Sequence, residues 1–104
     1  MPRFCYTFVL LPGTIKQYEQ EHAEIWPGVV AAMRRVGVTE FSLFRRDHTV
    51  TAYGECTEPI DATFAALDAD PENVRWSGHI RSLMHDPLDE NGELLFAQEI
   101  WRMP

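Results

Sequence analysis

VTEFSLFRRDHTVTAYGEC, residues 38–56, holds two runs rich in β-branched and aromatic residues on either side of Asp47-His48. VTEFSLFRR (38–46) and TVTAYGEC (49–56) read as two strands, and the short polar break between them reads as a hairpin turn. An antiparallel pair in the middle of a chain this short constrains what can stand on either side of it.

Upstream, RFCYTFVLL (3–11) reads as a first strand and Pro12-Gly13 as the turn that ends it. Thr14 is positioned as an N-cap, and TIKQYEQEHAEIW runs on as a helix. Pro27 lacks an N–H and clashes with the preceding turn, so it should kink or interrupt that helix. VVAAMRRV resumes it, and Gly37 stops it. Downstream, Pro59 opens a helix to about Asp68, and Pro71 sits at the first position of another, PENVRWSGHIRSLMH. HDPLDENGE (85–93) reads as a polar loop and LLFAQEIW (94–101) as a last strand. The order is β-α-β-β-α-β with the second α split in two. This is the ferredoxin-like pattern, an α+β fold of the dimeric α/β-barrel type, with helices on one face of an antiparallel sheet.

The chain has 104 residues, which predicts a single domain spanning 1–104. Phe4, Tyr6, Phe8 and Leu10 share one face of the first strand, and Cys5, Thr7, Val9 and Leu11 share the other. Both faces are largely apolar, so the side away from the helices is expected to be covered by a second copy in a homodimer. The net charge of −7 argues against a nucleic-acid partner, which needs clustered Lys and Arg. No apolar run approaches the roughly 20 residues of a membrane span, and the N-terminus has no signal-peptide layout. The two cysteines have no CxxC spacing, so they read as free thiols of a cytoplasmic protein. There is no HExxH, no Cys/His cluster and no glycine-rich phosphate loop. Neither a metal nor a cofactor is predicted.

Tyr18, His22 and Ile25 are spaced to share one face of the first helix. Histidine on an inward stripe is either a core residue bonded to backbone or a group that is used. Trp76 lies on another helix, which the fold can bring across the same cavity. It reads as core filling or as a stacking platform. Histidine, tyrosine and tryptophan around a concave site suit a sugar: the indole stacks on the C–H face and the phenol bonds hydroxyls. His48 reads as a turn residue. His79 and His85 are placed on the last helix but not on one face of it.

These residues carry a resemblance. The stretch Tyr18, His22, Ile25, Trp26 and Pro27 is similar to the L-rhamnose mutarotase family, with support from Phe41, Arg75-Trp76 and Glu99-Ile100-Trp101. The resemblance covers essentially the whole chain. It implies a small dimeric, cofactor-free isomerase that interconverts the α and β anomers of a 6-deoxy-L-hexose. It further implies that His22 is the catalytic acid, that Tyr18 binds substrate, and that Trp76 is the first of a sugar-binding tryptophan pair. Three positions depart from the pattern. Phe41 stands where a substrate-contacting tyrosine is common. Ser77 stands where some members have a second tryptophan. Gly28 stands where an acidic residue is common, and is expected to loosen the helix kink or the pocket rim. Phe41 and Ser77 are carried as substrate-binding positions whose contacts are altered. They leave an L-fucose mutarotase as an alternative. A non-enzymatic dimeric α/β-barrel binding module and a monooxygenase of the same architecture are alternatives from other classes.

Overall fold

The computed structural model describes all 104 residues. The elements run β1 (Arg3–Leu10), α1 (Ile15–Ala23), α2 (Pro27–Arg35), β2 (Val38–Arg46), β3 (Thr49–Cys56), α3 (Ile60–Asp68), α4 (Pro71–Arg81) and β4 (Met84–His85). The strands form one antiparallel sheet in the order β2-β3-β1-β4, with non-sequential neighbours at its centre. This is the ferredoxin-like arrangement, an α+β fold.

The hairpin closes as the sequence predicts, with Arg46 paired to Thr49 across Asp47-His48. Asp47 takes a positive φ of 49°, a conformation Asp tolerates because its short side chain can bond locally. A bulge between Val38 and Glu40 shifts the β2 register, and paired residues then share a face. The inner face carries the rows Phe4–Gly54–Phe41 and Tyr6–Ala52–Leu43. The outer face carries the row Thr7–Thr51–Phe44. The helices cover the inner face. Phe8, Leu10, Tyr18, Val29, Val50, Trp76, Ile80 and Leu83 form the buried cluster between them and the sheet.

Pro27 interrupts the helix outright. Trp26 is extended (φ −63°, ψ 130°), as steric conflict with the following proline ring requires, and Pro27 becomes the first residue of α2. Gly37 ends the second segment at a φ of 100°, which a side chain would resist. Thr14 occupies the N-cap position of α1 without capping it by its side chain. Its hydroxyl instead donates to the carbonyls of Leu11 (2.8 Å) and Leu83 (3.1 Å), tying the end of β1 to the end of the last helical segment. Asp70 caps α4, its carboxylate accepting from the Asn73 N–H at 3.0 Å.

The C-terminal part differs from the reading of its sequence. The last helix ends at Arg81, so His79 is helical while His85 belongs to β4. The fourth strand is Met84–His85, paired with Val9 and Leu10, and LLFAQEIW is not a regular strand. The backbone of that segment meets β1 through one isolated bridge, Tyr6 to Phe96, and one bond from the Ala97 N–H to the Cys5 carbonyl (2.7 Å), and Glu99 accepts from the Arg3 guanidinium. β4 already occupies part of the free edge of β1, and the turns at Asp86 and Gly92 (φ 41° and 76°) deliver the chain to the remainder of it. Residues 98–104 then run on exposed, without a ladder of hydrogen bonds.

Candidate active site

A cavity of about 410 Å³ lies between the inner face of the sheet and the helices. Tyr6 and Phe8 of β1 and Phe41 and Leu43 of β2 line its sheet side. Tyr18 and His22 of α1, Met33 of α2, Phe64 of α3, and Trp76 and Ser77 of α4 line its helical side. Arg34, Glu40, Asp68 and Arg81 bring charge to an otherwise largely apolar lining. Mostly apolar walls with a few placed polar groups are the usual composition of a small-molecule pocket.

Tyr18 and His22 stand one turn apart in α1, and their rings are 4.4 Å apart. His22 Nδ1 lies 2.9 Å from the Tyr18 carbonyl oxygen. A carbonyl can only accept, so Nδ1 carries a hydrogen and donates. Nε2 is then the nitrogen left to exchange a proton. Ile25 also lines the cavity, but from the linker between α1 and α2, because α1 ends at Ala23 before the stripe is complete.

Trp76 is 5% exposed and belongs to the core cluster as well as to the cavity wall. Its ring meets the His22 ring edge-on at 5.3 Å and the Trp26 ring at 5.2 Å. Trp26 in turn stacks on His79 (17° between planes), whose Nε2 is 3.2 Å from Glu21. Edge-to-face contacts on two sides hold the Trp76 indole in one orientation. The five residues singled out in the sequence, Tyr18, His22, Phe41, Trp76 and Ser77, thus line a single cavity.

Burial pushes the Tyr18 phenol well above its ordinary value, and nearby Tyr6 pushes it in the same direction. Burial raises Tyr6 to about 12, with Arg81 pulling against it. Both therefore keep their protons at neutral pH and serve as hydrogen-bond donors or weak acids rather than as phenolate bases.

Tyr6, Phe64 and Arg81 also line the cavity and were not predicted as site residues. Tyr6 was visible on the inner face of β1 by alternation. Which inner-face positions lie under a helix and which under the cavity depends on how the helices seat, and period alone does not carry that.

The fold and the site together define a ferredoxin-like α+β protein with a histidine-bearing cavity sized for a small ligand. The family model described as L-rhamnose mutarotase matches residues 3–103, and the chain belongs to that family. As a member it is an isomerase of the mutarotase type. Similar curated proteins are the L-rhamnose mutarotases of Rhizobium etli (30% identical over 102 residues, 98% of this chain and 96% of that protein) and of Jannaschia sp. (26% over 104 residues, all of both chains). Among solved structures, the L-rhamnose mutarotase of Formosa agariphila superposes with a TM-score of 0.79 at 18% identity over the whole of both chains. The tetracenomycin F2 cyclase of Streptomyces glaucescens, a type-II polyketide cyclase, superposes with a TM-score of 0.74 at 15% identity over 100% of this chain and 98% of its own. At these identities the structural likeness is one of fold.

Proposed function

We propose that the chain exchanges the α and β anomers of L-rhamnose in this cavity, with His22 as the acid/base at the ring oxygen. The carrying observation is the hydrogen bond from His22 Nδ1 to the Tyr18 carbonyl, which leaves Nε2 for proton exchange beside Trp76 and the Tyr18 ring. In ring opening, a base takes the proton of the C1 hydroxyl, the bond from C1 to the ring oxygen breaks, and His22 in its cationic form, with a hydrogen on each ring nitrogen, gives the Nε2 proton to that oxygen and becomes the neutral Nδ1–H ring. The aldehyde rotates about C1–C2, and closure runs the same transfers backward. An imidazole nitrogen can both donate and accept a proton, which suits a group that must do each in turn. Tyr18 donates a hydrogen bond to the sugar, Trp76 supplies an apolar platform, and Phe41 and Ser77 border the same space. The second group, which takes the C1 hydroxyl proton, is an acidic side chain or water, because burial keeps the Tyr18 phenol protonated.

Residues 1–104 act as one mutarotase domain, with a 6-deoxy-L-sugar as the partner and no nucleic acid. The family match and the relatives' names favour rhamnose over fucose, and an enzyme over a binding module. No helix is long and apolar enough to cross a membrane. The free thiols of Cys5 and Cys56 fit work in the reducing cytoplasm. The outer sheet face, where Phe44 is 61% and Val9 43% exposed, supports a homodimer formed through it.

Saturation-exchange NMR on L-rhamnose, L-fucose and mannose tests the reading. Anomer exchange should accelerate most for L-rhamnose. No acceleration with any of the three would overturn the assignment, and a faster response with fucose would reassign the sugar.

A further inference from the structure

We infer that Tyr6 binds the sugar: its hydroxyl donates to a hydroxyl of the substrate and supplies a contact that Phe41 cannot make. The inference rests on the mutarotase reading and adds a specificity-determining residue to it.

Tyr6 stands on the inner face of β1 in the row Tyr6–Ala52–Leu43, next to the row Phe4–Gly54–Phe41. Between the flanking strands β3 carries Ala52 and Gly54, and the Phe4 ring lies over Gly54, so Tyr6 and Phe41 stand on either side of that ring. Tyr6, Phe41 and Leu43 line the cavity that holds Tyr18 and His22. The Tyr6 ring is clamped edge-on by Phe64 (6.1 Å, 88°) and Phe96 (5.6 Å, 77°). A ring held on two sides keeps its hydroxyl in one place.

That hydroxyl is not spent inside the protein. Arg3 Nε is the one buried side-chain nitrogen or oxygen without a hydrogen-bond partner, so the unpartnered Tyr6 hydroxyl keeps some accessible surface, and Tyr6 lines the cavity. A polar group set into an aromatic wall without an acceptor from its own chain costs free energy unless solvent or a ligand satisfies it. Desolvation keeps the phenol protonated, so it offers a donor across the working pH range. A sugar hydroxyl oxygen is a matching acceptor. Phe41, on the same inner face, offers no hydroxyl. A phenol on β1 thus meets the need from another strand lining the same cavity.

Tyr6→Phe removes one oxygen and leaves the clamped ring. KM for L-rhamnose should rise about 2- to 10-fold, the usual value of one hydrogen bond, with kcat changing far less. Among monodeoxy-rhamnoses, one should bind the wild-type protein as weakly as rhamnose binds Tyr6→Phe, and should lose nothing further in that variant. The double variant Tyr6→Phe/Phe41→Tyr should recover part of the lost affinity. An active wild-type protein whose Tyr6→Phe form has unchanged KM overturns the role of Tyr6 alone. An equal loss for every deoxy sugar also overturns it, because that is the mark of a merely structural tyrosine. A wild-type protein without accelerated exchange overturns the mutarotase reading, and this inference with it.

Discussion

The carboxylate of Glu72, in the first turn of α4, fills the space that a side chain on Gly28, in the first turn of α2, would take. The family resemblance implies an acid at position 28, and here a different helix brings one to the same spot. A carboxylate at a helix N-terminus is favoured by the partial positive charge of the unpaired N–H groups there. Gly28→Ala should gain up to about 1 kcal/mol in helix propensity and lose about 0.3–1 kcal/mol as Glu72 is pushed aside. The net change in denaturant-measured stability should be close to zero. In a Glu72→Ala background, Gly28→Ala should instead stabilise. An additive double-mutant cycle would show that the two residues do not interact.

His22→Ala and His22→Asn should lower the enzyme-dependent anomer exchange by about 10²- to 10⁴-fold, the ordinary contribution of a positioned acid/base. Both variants should keep the wild-type circular dichroism, because the ring is only partly buried. A folded His22→Ala protein with full exchange would remove His22 from the mechanism. Nitrogen-15 spectra of the neutral ring should show the proton on Nδ1, as the bond to the Tyr18 carbonyl demands.

Phe41→Tyr should lower the KM for rhamnose by about two- to tenfold, the value of one added hydrogen bond. The Phe41 ring borders the cavity and also packs against Phe4 at 5.8 Å, so the test reads which way its para position points. Unchanged exchange of both rhamnose and fucose would assign Phe41 to the core.

Alkaline pH should destabilise the protein through two tyrosines. Tyr6 and Tyr18 both ionise above the ordinary value of 10.0, chiefly because burial penalises the phenolate. The folded state holds these protons more tightly than the unfolded chain does. The contribution is thus intact below pH 10 and is lost as pH rises through about 12, where Tyr6 ionises. Denaturation midpoints should fall over that range, and Tyr18→Phe should flatten the fall. An absorbance titration in which all tyrosines ionise together near pH 10 would contradict it.

A dimer through the outer sheet face should bury at least about 1,000 Å² in total. Phe44 projects from that face in the row with Thr7 and Thr51. Phe44→Glu places a charge where the two copies would meet, and light scattering at micromolar concentration should then report monomers. A wild-type monomer under the same conditions would count against the dimer itself.

The amino-acid sequence by itself determined whatever depends on local backbone preference and side-chain period. Pro27 splits α1 from α2 because its ring forbids the helical geometry of Trp26, and Gly37 ends α2 because it alone takes a φ of 100° freely. Period two put Phe4, Tyr6, Phe8 and Leu10 on one face, and a spacing of four put Tyr18 over His22. The seat of Trp76 against His22 was only a possibility in the sequence, because it depends on how α4 packs across α1. The C-terminal segment misled for a related reason. LLFAQEIW has strand composition, but a strand also needs a continuous ladder along a free edge, and after β4 has paired with Val9 and Leu10 the backbone of this segment bonds β1 only at Cys5 and Tyr6. Glu72 reaching Gly28 and the opening of the cavity over Tyr6 are likewise contacts between elements distant along the chain. Tertiary structure decided them, because dihedral preference and periodicity act over a few residues, whereas helix seating and edge occupancy are set by the packing of the whole chain.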